Sequence, residues 1–242
     1  MLHTRSSRLP SLLASIWLTL VAGTCMANSH TTLYNQLSEA APNLNPAVLE
    51  KALAASSCAV AHGVASPERL AVIDFSLPSS ERRLWLFDLA QGNLILRDLV
   101  AHGKNSGMKT ATAFSNNNGS YQSSIGLFRA SESYRGRHGY SLRLDGLEPG
   151  VNDLARKRAI VIHGADYVDP SWVAEYGRIG RSHGCPAVSQ GTIKEVVDSL
   201  KGGQLVFSYY PDQQWLSSST FLNCDAGAQV AGLVSEEESS GG

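Results

Sequence analysis

From residue 70 onward the chain consists of short apolar runs separated by residues that form turns. Runs of this length that are rich in β-branched and aromatic residues are typical of strands. A Gln91-Gly92 pair provides a turn between two of them. The pattern predicts seven strands, at Leu70–Phe75, Arg83–Leu89, Asn93–Ala101, Ser124–Ala130, Ser141–Leu144, Ala159–His163 and Leu205–Tyr210. The central part of the chain is therefore expected to be mostly β.

Helical spacing of apolar residues occurs before and among these strands. Thr32–Ala40 predicts one short helix, and Pro46–Ser57 predicts a second with its apolar side chains on one face. Asn45 precedes the second helix as a capping residue, and Pro46 suits the first helical position. Thr192–Lys201 predicts a helix that stops at a Gly-Gly pair. The expected fold class is mainly β with short helices (α+β), with a small helical N-terminal arm.

The first residues have the pattern of a secretory signal peptide. Arg5 and Arg8 precede an apolar run over Leu9–Gly23, and small residues follow up to Ala27. A retained transmembrane helix needs about 20 apolar residues, which fits this run less well, and lipidation of Cys25 is a further alternative. We therefore expect cleavage after Ala27, export to the periplasm or cell envelope, and no membrane anchor in the mature form.

These patterns divide the chain into four segments. Residues 1–27 are expected to form the signal peptide, 28–66 the helical arm, 67–212 the main domain and 213–242 a C-terminal extension. The extension is expected to be partly disordered, because it contains Glu236–Glu238 followed by two serines and two glycines.

The charge balance bears on the class of ligand. The 242 residues include 20 basic and 21 acidic side chains, and the chain has no long basic run. This balance argues against a nucleic-acid partner and leaves a neutral or zwitterionic ligand open.

Three cysteines remain once the signal peptide is removed: Cys58, Cys185 and Cys224. An odd number in an exported protein leaves at least one thiol that is free or paired between molecules. If Cys185 is the reactive thiol, Cys58 and Cys224 remain as a possible disulfide between the two ends of the mature chain.

A histidine and this cysteine lie in two glycine-containing segments. His163 ends an apolar strand and precedes Gly164, a position that suits a general base, although a structural histidine is the alternative. Cys185 follows His183 and Gly184, so that substrate and backbone N–H groups have room to approach the thiol. The backbone at Gly184 and Cys185 is expected to face the oxyanion of an attacked carbonyl.

Pro186 is well suited to the first position of a helix. The sequence therefore predicts a helix that begins after Cys185 and whose dipole stabilises the thiolate. The alternatives for this cysteine are a disulfide or a zinc site with His163 and His183. Zinc is disfavoured because His183 and Cys185 form the one close pair of ligands, so no metal or other cofactor is expected.

The motifs resemble those of the YkuD-type L,D-transpeptidases, cysteine enzymes that remodel peptidoglycan, over about Leu70 to Tyr210. The resemblance is closer to the murein L,D-transpeptidase catalytic domain subgroup. Its features are matched by Ala101-His102-Gly103, Phe114-Ser115-Asn116, Ser123-Ser124-Ile125-Gly126, Tyr134-x-Gly136-x-His138-Gly139, Ser141-Leu142-x-Leu144-x-Gly146, His163-Gly164 and Gly180-Arg181-Ser182-His183-Gly184-Cys185-Pro186-Ala187-Val188.

The resemblance implies a sandwich-like β fold, with residues 67–212 as the catalytic domain. It implies that Cys185 is the nucleophile, His163 the base, and the Gly164 carbonyl the group that orients His163. His183 is a further catalytic candidate, ranked below His163. His183 and Gly184 are expected to line the site and to contribute to the oxyanion hole through their backbone, and Gly164 is a further backbone candidate. The implied partner is a peptidoglycan stem peptide, and the implied reaction forms a cysteine thioester and releases D-alanine. An L,D-carboxypeptidase, with water as acceptor, and a non-catalytic peptidoglycan-binding module remain alternatives.

The chain departs from the family pattern in two places. Residues 166–180 form a longer insert before the cysteine segment, and Pro186-Ala187 follow the cysteine where better-known members have an aliphatic and then a polar or basic residue. Arg178 and Arg181 are therefore candidates for a carboxylate clamp, with solvated surface roles as the alternative. Asn116 and His138 are further candidates to contact substrate. His102 and His138 lie beside glycines and match the subgroup, so they are candidates to line the cleft, with turn or core roles as the alternative.

Overall fold

One eight-stranded sheet organises the fold, which a computed structural model describes for residues 31–224. The expected signal peptide and the acidic run Glu236–Glu238 lie outside the described residues. The strands are β1 (Arg69–Asp74), β2 (Leu84–Asp88), β3 (Asn93–Asp98), β4 (Gly126–Gly136), β5 (Gly139–Gly146), β6 (Val161–Gly164), β7 (Ala187–Val188) and β8 (Gln204–Tyr209). The mainly β prediction and all seven predicted strands are confirmed. β7 was not predicted, because two residues carry too little pattern.

Five helices accompany the strands in the described range: α1 (residues 31–40), α2 (Pro46–Ala61), α3 (Pro170–Tyr176), α4 (Ile193–Leu200) and α5 (Gln213–Ser218). The predictions of α1, α2 and α4 are confirmed, and Asn45 caps α2 by accepting a hydrogen bond from the Ala47 N–H. α3 and α5 were not predicted; each begins after a capping aspartate, Asp169 or Asp212. None of the helices in this part of the chain is long and apolar enough to cross a membrane.

The strands pair into one sheet in the order β3-β2-β1-β8-β4-β5-β6-β7. β1–β8 and β6–β7 are parallel pairs, and the other neighbours are antiparallel. Beyond β3, Ala101 forms an antiparallel bridge with Ala187 of β7. The two ends of the sheet therefore meet, and the sheet is nearly closed.

Both faces of the central strands are buried. In β1, Leu70 and Val72 pack into a core that includes α1, α2 and α5, whereas Ala71 and Ile73 pack into a second core with α4. This alternation follows from the two-residue period of a strand. The second core also receives residues from β2 and from β5 and β6, so the sheet curves around it. The site described below lies at the β6–β7 end of this curved sheet.

A buried carboxylate holds the segment between β5 and β6 against the rest of the fold. Glu148 accepts hydrogen bonds from the Leu127 N–H (2.7 Å), Trp215 Nε1 (3.0 Å) and the Ser219 hydroxyl (2.6 Å). Buried carboxylates need such donors to offset the loss of water. Glu148 therefore links the β5–β6 segment to β4 and to the region of α5.

A disulfide joins α2 to the end of the described chain. Cys58 and Cys224 are bonded, with their Cα atoms 5.8 Å apart, and Cys185 is the free cysteine of the described residues. The pairing left open by the sequence is therefore confirmed. The bond closes a loop of 166 residues between the helical arm and the C-terminal segment.

We expect the double variant Cys58→Ser/Cys224→Ser to have a free energy of unfolding lower by about 3–5 kcal/mol, because the bond restricts a very long loop in the unfolded chain. Chemical denaturation with and without a reductant measures the effect. Reductant is expected to destabilise the parent and leave the double variant unchanged. Equal stability of the two proteins under oxidising conditions would contradict this expectation.

Candidate active site

The parallel pairing of β6 with β7 brings the two sequence segments of the site together. His163 is in register with Ala187, and the Ala165 N–H donates to the Val188 carbonyl at 2.9 Å. Cys185 lies two residues before Ala187, beside Val161, whose N–H is directed at the Cys185 sulfur. The base expected from the sequence therefore lies on β6, and the expected nucleophile lies in the loop that leads into the neighbouring strand β7, at one end of the sheet.

The helix predicted to follow Cys185 is not formed. Pro186 leads directly into β7, because Ala187 and Val188 pair with β6. The prediction was wrong because Pro186 suits an extended segment as well as a helix start, and the tertiary pairing selects the strand. The thiol is therefore not stabilised by a helix dipole.

His163 is buried and has a fixed orientation. Its Nδ1 is 3.0 Å from the Gly164 carbonyl oxygen, the contact expected from the resemblance, so Nδ1–H donates and Nε2 remains an acceptor. Burial, together with the neighbouring His138, lowers the pKa of His163, and the Gly164 bond opposes this shift. A Cβ at Gly164 would lie 2.6 Å from Oε1 at the end of the Gln190 side chain, so a larger residue here would displace that side chain. A neutral imidazole with a free Nε2 can accept a proton near neutral pH.

The ring of His138, from the β4–β5 turn, stacks on the His163 ring with centroids 4.5 Å apart and an interplanar angle of 28°. The two rings border an open cavity of about 410 Å³. Its other polar lining residues are Arg137, Asp166, Tyr167 and Gln190. Four residues were candidates to contact substrate from the sequence: Arg178, Arg181, Asn116 and His138. Of these, His138 is the one that contacts the candidate base.

The Cys185 thiol is half-buried and points toward the Ala159 carbonyl oxygen, 3.6 Å from Sγ. Burial raises the pKa of Cys185, whereas the Val161 N–H, the positive charge of Arg158 and the residue's own N–H lower it. Tyr167 is also close, since burial and the charge of Cys185 raise its pKa to about 12. The thiol is thus protonated at neutral pH in the free protein and needs a base to react.

Serine hydroxyls fix the loop that carries the thiol. The Ser182 hydroxyl donates to the Cys185 carbonyl at 2.6 Å and accepts from the Gly184 N–H at 3.0 Å. The Ser123 hydroxyl donates to the Gly184 carbonyl at 3.0 Å. Gly184 has a φ of +124°, and a Cβ would lie 2.9 Å from the Gln122 oxygen. The Gly184 N–H, expected from the sequence to face the oxyanion, therefore donates to the Ser182 hydroxyl in this structure.

His183 is exposed and packs against the ring of Tyr121, with centroids 4.7 Å apart. The same Tyr121 ring also contacts a cation, because the Lys104 ammonium lies 4.2 Å from the ring centroid. His183 thus belongs to an aromatic and cationic cluster beside the thiol loop. Its described contacts are with that cluster and not with Cys185 or His163, so a direct catalytic role is not supported.

The remaining candidates from the sequence are bonded to neighbouring loops. Arg178 donates to the Ile179 carbonyl, and Arg181 donates to those of Lys104 (2.8 Å) and Gly107 (3.1 Å). Asn116 is bonded to Asp153 and to the Leu154 N–H. These contacts hold loops around the site, and none places the three side chains against the thiol or His163. The carboxylate clamp suggested for the two arginines stays a prediction, because their described hydrogen bonds are to backbone carbonyls.

His102 is a structural histidine rather than a cleft residue. It is fully buried, and its Nδ1 accepts a 2.7 Å hydrogen bond from Arg83, which is also fully buried. Burial and the Arg83 charge lower the pKa of His102 to about 4. The His102 carbonyl accepts from the Ser182 N–H at 2.9 Å. The Arg83–His102 pair therefore supports the loop that precedes Cys185.

The zinc set considered from the sequence is not gathered around Cys185. Within residues 31–224, the group of three metal-ligating side chains that lie within 4.8 Å of one another is Cys58, His62 and Cys224. The disulfide uses both of its sulfur atoms.

Sequence reasoning missed Arg158, Tyr167 and Ser123 as residues of the site. Arg158 belongs to the basic run Arg156-Lys157-Arg158, which is typical of a solvated surface, and Tyr167 was treated as part of an insert. The fold brings both residues to the site, and their spacing in the sequence does not predict it. Ser123 belongs to the Ser123-Ser124-Ile125-Gly126 motif shared with the family, which was the one sequence feature that pointed to it.

Comparison with known proteins gives a family and several solved structures. The model described as L,D-transpeptidase catalytic domain matches residues 40–209. An L,D-transpeptidase structure from Mycobacterium smegmatis has 15% identity, coverage of 59% of each chain and a TM-score of 0.37. One from Stackebrandtia nassauensis has 12% identity, coverage of 72% of this chain and 74% of its own, and a TM-score of 0.37. The chain thus spans about three fifths of the Mycobacterium smegmatis structure. No curated protein matches.

We expect the stability of the parent to fall as the pH decreases from about 6.5 to about 4. In this range the unfolded chain protonates His102 while the folded protein keeps it neutral, because its pKa in the folded state is about 4. The contribution is at most about 3 kcal/mol. In His102→Asn, whose Oδ1 replaces the Nδ1 acceptor, denaturation midpoints should depend less on pH between 4.5 and 6.5. Exposed His62→Asn is the control, and equal pH slopes for His102→Asn and the parent would refute the assignment.

Proposed function

The chain belongs to the L,D-transpeptidase catalytic domain family, and on that premise we propose that it is an exported cysteine acyltransferase acting on peptidoglycan stem peptides. The observation that most directly supports the proposal is the position of the free Cys185 thiol. It lies two residues before β7, the strand paired with β6, and β6 carries buried His163, whose Nδ1 is fixed by the Gly164 carbonyl. An oriented base beside a free thiol is the arrangement that nucleophilic catalysis requires.

In the first half-reaction, His163 Nε2 accepts the proton of Cys185. The thiolate attacks the carbonyl carbon of the L-centre of the stem diamino acid, which is joined to the terminal D-alanine. The C–N bond breaks as the imidazolium returns the proton to the leaving amine. D-alanine leaves with an intact amino group, and the acyl group remains on Cys185 as a thioester.

Backbone groups around Cys185 stabilise the oxyanion of the tetrahedral intermediate in this proposal. The Cys185 N–H and the Val161 N–H are both directed toward the sulfur, and we assign them to the oxyanion because the attacked carbonyl becomes bonded to that sulfur. The Gly184 N–H is held by Ser182 instead. Fixed donors of this kind favour the transition state because they need no reorganisation when the charge develops.

In the second half-reaction, the side-chain amine of a neighbouring stem attacks the thioester carbonyl. His163 Nε2 accepts a proton from the amine and the thiolate leaves, which forms the cross-link and regenerates the thiol after proton return. The open cavity beside His163 and His138 offers the space for this acceptor. Water in the same place would give a carboxypeptidase.

Export is supported by two independent features of the chain. The N-terminal residues have the charge and apolar pattern of a signal peptide. The Cys58–Cys224 disulfide is of the kind that persists in oxidising compartments. A peptidoglycan substrate lies in the same compartment.

The test is mass spectrometry of muropeptides after incubation with the parent, Cys185→Ala and His163→Gln. We expect cross-linked dimers and free D-alanine from the parent, no product from Cys185→Ala, and at least about 100-fold less from His163→Gln, since loss of a general base typically costs 10²–10⁴-fold. His62→Gln, which changes a histidine next to the disulfide, serves as the matched control and should retain the parent's rate.

Each other outcome has a defined meaning. Tripeptides with free D-alanine but no dimers would replace the transpeptidase by a carboxypeptidase. Product from folded Cys185→Ala would contradict the cysteine mechanism. Binding of muropeptides without any product by the reduced, folded parent would favour the binding module.

A further inference from the structure

Arg158 is an arginine whose charge is not matched by its hydrogen-bond partners. It ends the β5–β6 segment and is half-buried. Its guanidinium donates to four neutral oxygens in the segment 115–124: the Ser115 carbonyl, the Ser124 hydroxyl, the Ser120 hydroxyl (3.1 Å) and the Gln122 carbonyl (2.7 Å). These contacts hold the guanidinium in one place and leave its positive charge available.

The nearby Arg156 shows the contrast. It is exposed and pairs with two carboxylates, Glu132 and Asp145. The two arginines are two residues apart in the same segment, yet one is neutralised at the surface and the other is not. A substitution of Arg156 therefore serves as a control for the loss of an arginine charge from the same segment.

The surroundings place the Arg158 charge beside the nucleophile. The next residue, Ala159, accepts the hydrogen bond of the Cys185 thiol through its carbonyl. The Gln122 carbonyl that accepts from Arg158 also lies against Gly184, the residue before the thiol. Consistent with this arrangement, the charges of Arg158 and Cys185 interact, and each favours the ionised form of the other.

The local backbone is strained at this position. In residues 31–224, the non-glycine residues with positive φ are Tyr121 (56°) and Ala159 (55°). Tyr121 packs against His183 and Ala159 contacts the thiol, so both border the loop that carries Cys185. Left-handed backbone at residues other than glycine costs energy and is concentrated at functional sites. The strained residue Ala159 directly follows Arg158, so the strain lies at the point where the chain positions this arginine.

We propose that Arg158 is a positioning residue for catalysis, whose charge stabilises the thiolate of Cys185 once His163 has taken its proton. The inference rests on the proposed function, because it assigns a role toward the same nucleophile. No helix follows Cys185 to supply a dipole, and burial opposes its ionisation. A fixed neighbouring cation compensates for that loss of solvation.

Arg158 is the charged group that lowers the pKa of Cys185. On β6, His163 is neutral and Val161 contributes an N–H. In the segment after β6, Tyr167 stays protonated because its pKa is about 12. His183 lies on the thiol's own loop, where it packs against Tyr121 and is open to solvent. His138, on the β4–β5 turn, stacks on His163.

The test measures the rate at which iodoacetamide alkylates Cys185 in the full chain between pH 5 and 10, followed on the Cys185 peptide by mass spectrometry. Alkylation of a thiol tracks its thiolate fraction. We expect Arg158→Gln to react about tenfold more slowly at pH 7.5 and to need a pH about one unit higher to reach the parent's rate. Arg158→Lys, which keeps the charge, should stay within about threefold of the parent, and Arg156→Gln should match the parent.

The proposal is overturned if Arg158→Gln keeps the parent's pH profile with an unchanged circular dichroism spectrum. It is also overturned if folded Arg158→Lys loses as much reactivity as Arg158→Gln, since the hydrogen bonds and not the charge would then matter. Arg158→Met, of similar volume, replaces Arg158→Gln if that variant does not fold. The alkylation profile requires no turnover, so its result is separate from that of the muropeptide assay.

Discussion

The pairing of β6 with the two-residue strand β7 is the interaction on which the site depends. In this pairing His163 lies opposite Ala187, and Cys185, two residues before Ala187, lies beside Val161. The pairing therefore brings together two segments that are separated in sequence. A strand of two residues is held by few hydrogen bonds of its own, so its surroundings must fix it. The Ala101–Ala187 bridge and the Ser182 contacts do so, and buried Arg83 and His102 support the same loop from beneath.

Burial sets the resting charge state of this site. It lowers the pKa of His163 and raises that of Cys185, so the pair rests as neutral imidazole and thiol. Forming the ion pair then depends on groups that are already in place, because reorganising a buried site is costly. The backbone N–H groups near the sulfur and the charge of Arg158 are such fixed groups. Since the β5–β6 segment holds Arg158, this segment contributes to the proposed ionisation of the thiol.

The sequence identified the elements whose pattern is local. The strands and three of the helices follow from short apolar runs, caps and turn residues, and the paired motifs indicate His163, Gly164 and Cys185. Two of the missed elements, α3 and α5, are short helices that begin after a capping aspartate. The third, β7, depends on a tertiary contact, because it pairs with β6, and that pairing displaces the helix expected after Pro186. Arg156 and Arg158 look alike in a basic run, and only the fold places one at the surface and the other beside the thiol.

The central claim is that Cys185 carries the acyl group between donor and acceptor. The most direct measurement is intact and peptide-level mass spectrometry of the reduced protein mixed briefly with a donor tetrapeptide stem and no acceptor. The account predicts a mass increase equal to the donor lacking its terminal D-alanine, located on the Cys185 peptide and lost on treatment with hydroxylamine. Release of D-alanine with no adduct on Cys185 at any time before completion, or an adduct on another residue, would contradict it.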